Sequence, residues 1–121
     1  MAGIRFTYKI IPLRMSRGQD TSVDIIVSLE NNTEEEKLVS VEALIKTHGL
    51  IGFDQALTHK RAVKKVGILK PSQRVEFPIR VYGSTQTKPL DYDVELTLFE
   101  HFQDLTKVVN QFSRTCAIRV I

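Results

Sequence analysis

The sequence predicts an all-β protein, a single antiparallel β-sandwich of seven or eight short strands occupying residues 1–121 as one domain. Three observations predict it. Apolar residues recur with period two rather than 3.6. Clusters of Gly, Pro, Asn, Asp and Ser separate the alternating stretches, leaving roughly 8–12 residues from strand to strand. No continuously apolar strand of the kind buried in a parallel sheet appears, and no tandem helix signals accompany the strands.

Taken in order, Ile4, Phe6, Tyr8 and Ile10 alternate with Arg5, Thr7 and Lys9, and Pro12 interrupts them. Arg17 to Asp20 read as a turn. Val23, Ile25, Val27 and Leu29 form the next strand, followed by the polar loop ENNTEEEK. Val39, Val41, Ala43 and Ile45 start another. THGLIGFD carries Gly49 and Gly52, which break any regular element, and QALTHKRAVKK reads as a loop or one helical turn before a short strand at 63–68. LKPSQ is a turn in which Pro71 presets φ. Val75, Phe77, Ile79 and Val81 alternate next, then the loop GSTQTKPLD, then Tyr92, Val94, Leu96 and Leu98. EHFQDLTKVV reads as a connection, and Cys116, Ile118 and Val120 as the last strand.

Pro78 interrupts the strand at 74–82 without shifting its register, since Phe77 and Ile79 keep the same face as Val75 and Val81. A bulge would move that register by one, so the proline marks an edge strand whose missing N–H faces solvent. A partner that adds a strand is expected to avoid this edge and use another.

Hydrophobic residues make up 42% and charged residues 26%, the composition of a soluble globular protein. The net charge of +3 permits anionic partners without demanding them. One cysteine, Cys116, excludes an internal disulfide and favours a reducing, cytoplasmic setting. No run approaches the ~18 apolar residues of a membrane span, and the alternating N-terminus has no continuous apolar region of a signal peptide.

Three segments carry a resemblance. LKPSQRVEFPIRV resembles the L-x-P-G segment, followed by alternating apolar residues, of immunoglobulin-like sandwiches from bacteria and archaea, including CARDB-like and fibronectin III-like domains. TKPLDYDVELTL is similar to their P-G-x-Y-x-V strand, and VDIIVSLENNT to their strand ending in N-x-G. Ser72 and Leu90 stand where the family pattern has glycine. The resemblance implies an immunoglobulin-like sandwich in which the first strand breaks at Pro12 and crosses between sheets. It also implies a binding or spacing role, although such a fold hosts many functions.

Chemistry-bearing residues are sparse. His48, His59 and His101 match no zinc spacing, and a site built in space from His48, Asp54 and His59 competes with three surface histidines. Cys116, with His101 as a formal partner, falls at an inward strand position and reads as core. Asp91 and Asp93 share a face and read as a solvated strand start rather than an acid–base or calcium site. Asn31-Asn32-Thr33 matches the glycosylation pattern. Phosphate-loop, dinucleotide, nucleophile-elbow and zincin motifs are missing, and no cofactor or metal is expected.

The function expected is therefore a non-catalytic interaction or structural module that pairs with another protein or with itself. Leu50, Ile51 and Phe53, apolar residues between glycines, are the candidate partner-binding tip, or else a plug for the end of the sandwich. The alternative is electrostatic binding of nucleic acid or another anion through Lys60, Arg61, Lys64, Lys65 and Lys70, a basic segment without an interleaved aromatic. A third reading is a loop-sited enzyme or metal protein.

Overall fold

In the computed structural model, which describes residues 3–16 and 22–121, alternation becomes eight strands. They are β1 (Ile4–Ile11), β2 (Arg14–Met15), β3 (Ser22–Asn31), β4 (Lys37–Ile45), β5 (Arg61–Leu69), β6 (Arg74–Tyr82), β7 (Asp91–His101) and β8 (Val108–Val120). The turn expected at 17–20 lies outside the described residues.

Two sheets result, one of order β1-β3-β6 and one of order β2-β8-β7-β4-β5. Their facing sides are the expected ones. Val23, Ile25, Val27 and Leu29 of β3 meet Val39, Val41 and Ala43 of β4 and Val94, Leu96 and Leu98 of β7 in one buried core. Each such Val, Leu or Ile side chain contributes about 1.5–3 kcal/mol relative to exposure. Among the described residues no helix is long and apolar enough to cross a membrane.

The first strand divides at Pro12, as the resemblance implied. β1 lies antiparallel to β3, the chain turns through the cis Ile11–Pro12 peptide, and β2 then lies parallel to the end of β8 in the other sheet. This two-residue parallel pair joins an otherwise antiparallel sandwich.

Pro78 sits on an edge. β6 pairs with β3, Pro78 standing opposite Ile26, and among the described residues its other side meets only the bridge from Tyr82 to Gly52. Tyr82 directs both its N–H and its carbonyl outward to Gly52. Alternate residues of a strand direct these groups to the same side. Pro78, four residues earlier, therefore turns its nitrogen to the open edge, and its ring is exposed.

Three boundaries differ from the sequence reading. β7 continues to His101 and β8 begins at Val108, so the connection shrinks to 102–107. The first half of β8 alternates poorly because neither of its faces is well buried. β5 spans Arg61–Leu69 and contains a bulge opposite Val39 and Ser40, where Gly67 takes a φ of 94° that other residues resist.

Tyr92, fully buried at the start of β7, donates its hydroxyl to the Lys88 carbonyl at 2.9 Å. A buried phenol needs such a partner. This bond, four residues back at the corner entering the strand, is the tyrosine corner of immunoglobulin-like sandwiches.

Candidate interaction face

The outer face of the five-stranded sheet should be polar throughout, yet one end of it is apolar. Strand parity directs Leu38 and Ser40 of β4, Val63, Lys65 and Ile68 of β5, and Phe99 and His101 of β7 to this side. Ile68 is 60% exposed and Val63 53% exposed, far above what a core residue shows. Val108, opposite His101, extends the apolar surface beyond β7. Between these side chains lies a hollow of about 230 Å³ lined by Ser40, Val63, Phe99, His101, Leu105 and Val108, with Glu42, Arg61 and Lys65 completing its wall.

The floor of the hollow is polar. Ser40 Oγ and His101 Nε2 are 2.7 Å apart, and Ser40 is buried. His101 Nδ1 is buried and finds no partner among the described residues. A serine nucleophile requires a histidine held from behind by a third group. Here no carboxylate bonds Nδ1, and the serine is covered. The hollow is therefore an apolar depression over a covered Ser40–His101 pair.

The residues expected to bind a partner lie elsewhere. Leu50 is 47% exposed, but Ile51 is completely buried and Phe53 packs partly against the core. Ile51 is thus a plug, and the three do not form one exposed tip. Thr87 donates its hydroxyl to the Leu50 carbonyl at 2.6 Å, and the Lys60 ammonium bonds the carbonyls of Gly49 and Ile51. Gly52 must be glycine, because a Cβ there would stand 2.8 Å from the Leu57 backbone.

The basic segment does not form one surface either. Lys60 is spent on the plug's carbonyls, and Arg61 pairs with Glu42 at 2.8 Å. Lys64 faces inward at the sheet edge, its ammonium 5.8 Å from the centre of the Phe77 ring. Lys65 faces the opposite way, on the wall of the hollow, and Lys70 lies exposed in the turn after β5. Adjacent strand positions point to opposite faces, which divides a cluster that is continuous only in sequence.

Nor do the histidines converge. Asp54 accepts hydrogen bonds from the Thr58 N–H and hydroxyl and from the His59 N–H, which hold its carboxyl below its ordinary range. It caps its own loop, with His59 Nδ1 at 3.8 Å, while His48 lines a separate groove beside Tyr92. Among the described residues no three His, Cys, Asp or Glu side chains are placed to hold a metal ion. Cys116 is buried on the inner face of β8 and His101 lies on the outer face of β7, so they cannot meet. Asp91 pairs with Arg119 at 3.3 Å, and Asp93 is exposed.

No protein-family model and no curated protein matches the sequence. Among solved structures, the chain is similar to two of Escherichia coli alpha-2-macroglobulin. One is a crystal structure spanning domain MG7 to the C-terminus, with TM-score 0.65, 16% identity and 99% of this chain covered. The other is a cryo-EM structure of the native conformation, with TM-score 0.69, 16% identity and 100% of this chain covered. The match takes in 17% and 7% of those chains, so this chain spans a small part of their length. At this identity the likeness establishes the fold, an immunoglobulin-like β-sandwich.

Proposed function

We propose that the chain is a non-catalytic interaction or structural module, a single sandwich domain that seats a protein partner on the apolar end of its five-stranded sheet. The observation that carries this reading is the hollow between Val63, Phe99 and Val108, on a face that a lone sandwich would leave polar. The two alpha-2-macroglobulin structures lend support, because in them a fold of this kind is a small part of a long chain. The motif resemblance to CARDB-like and fibronectin III-like domains points the same way. A cytoplasmic setting belongs to the reading and is supported by the single, buried cysteine.

Affinity purification from the source organism, with nuclease treatment, tests it. Val63→Glu and Ile68→Glu change exposed side chains and should leave folding intact. The expected outcome is a defined protein partner captured by the parent chain and lost from both variants. Capture that is unchanged in the variants, or that disappears with nuclease, overturns the proposal.

A further inference from the structure

The edges of the two sheets are not equally protected. Pro78 and the Gly52 bridge close the edge at β6. At the edge of β5, the inward Lys64 and the bulge at Gly67 discourage added strands. β8 has neither a proline nor a bulge from Asn110 to Arg119, and its one inward charge there is Arg114. Among the described residues only Arg119 and Val120 are covered on its outer side, by β2, because β1 leaves for the other sheet at Pro12. The Ile121 N–H bonds the Met15 carbonyl on that side, so Ala117, Thr115, Ser113 and Gln111 also direct their backbone groups outward. The Tyr8 hydroxyl reaches the Thr115 carbonyl from that side at 3.5 Å. No strand among the described residues faces the others, and the pairing of β8 with β7 runs without a bulge from Asn110 to Arg119.

Beside this edge, between β8 and β1, lies a groove of about 450 Å³ lined by Ile4, Phe6, Thr7, Phe112 and Ser113 together with Arg5 and Arg114. No carboxylate lines it. Neither arginine has a hydrogen-bond or ion-pair partner among the described residues, and Arg114 occupies an inward position, opposite Leu96. A strand added to β8 would therefore meet the Phe112 ring and, two residues along on the same face, a guanidinium. We propose that the β8 edge from Gln111 to Ala117 binds an extended segment of another polypeptide whose inner face alternates apolar and acidic residues, adding it to the five-stranded sheet. Two copies paired edge to edge about a twofold axis would instead bring their Arg114 side chains near one another, which like-charge repulsion opposes. This site is separate from the outer-face hollow and does not depend on it.

The test uses a synthetic peptide of repeated Val-Thr-Glu-Thr units, its counterpart with Lys for Glu, and isotope-labelled protein followed by NMR. The acidic peptide should shift the amides of Gln111, Ser113, Thr115 and Ala117 and slow their hydrogen exchange, and the lysine peptide should not. Arg114→Glu should weaken binding about tenfold or more. Gln111→Pro removes an outward N–H that β7 does not use, so it should fold as Pro78 does and lose binding. If that variant misfolds, Arg114→Glu decides alone. No shifts at millimolar peptide, equal binding of both peptides, or binding indifferent to Arg114→Glu would overturn the proposal. Self-association through these same amides would also overturn it, giving the edge to a second copy.

Discussion

The side-chain amide of Asn31 donates to the Leu69 carbonyl at 2.8 Å, tying the end of β3 in one sheet to the end of β5 in the other. The same nitrogen donates to the Glu35 carbonyl at 2.8 Å, while Oδ1 accepts from the Thr33 N–H and hydroxyl. Every hydrogen-bonding position of the carboxamide is filled, at 0% exposure. Asn31→Asp puts an oxygen against two carbonyls and should cost about 3 kcal/mol in urea unfolding. A loss below about 0.5 kcal/mol would refute the assignment. The same burial makes this asparagine a structural tie and hides it from a glycosylating enzyme.

The turn from Lys70 to Gln73 holds a residue in a conformation suited to glycine. The Gln73 N–H bonds the Lys70 carbonyl at 3.0 Å, and Ser72 has a φ of 63°. This is the third position of a type II turn, where a side chain is strained. Ser72→Gly is expected to raise stability by about 0.5–1 kcal/mol. A melting temperature equal to or below the parent's would argue against the strain.

Pro78 protects its edge through the hydrogen-bond donor it lacks. Pro78→Val restores an outward N–H next to the outward groups of Glu76 and Arg80 without touching the ladder to β3. Monomer stability should change by less than about 1 kcal/mol. Light scattering should show association that grows with concentration. A variant that stays monomeric at every concentration would show that the proline has no protective role.

Burial pushes the Cys116 thiol from 9.0 up to about 11, with the charge of Asp93 adding to the rise. In the unfolded chain the thiol ionises near its ordinary value, while the folded chain keeps the proton. Between these values the unfolded state binds fewer protons, so stability is full below about pH 9 and falls as pH rises towards 11. Tyr92, raised by the same burial, adds a further alkaline loss. Unfolding curves of the parent and Cys116→Ala across this range isolate the thiol. Parallel pH profiles would mean that the thiol does not contribute.

Period two was enough to place most of the strands and their inward faces, because alternation is a local property and each buried face repeats it. Pro78 announced an edge for a similar reason, since a missing donor restricts where a strand can stand whatever its neighbours are. The first half of β8 escaped detection because Val108, Val109 and Phe112 follow no alternation. An edge with little burial on either side imposes none.

The interaction face was legible only in part. Leu38, Val63 and Phe99 look ordinary along the chain and form a surface only after β4, β5 and β7 are aligned. The basic segment shows the converse. Lys60, Arg61, Lys64 and Lys65 are neighbours in sequence, but the pleat and the carbonyls of Gly49 and Ile51 separate them. The amino-acid sequence by itself determined which residues alternate, where the chain turns and that an immunoglobulin-like sandwich results. Only the tertiary structure decided which edges stay open, which outward side chains meet and which cations remain free. Those outcomes depend on long-range register between strands, and no local pattern encodes it.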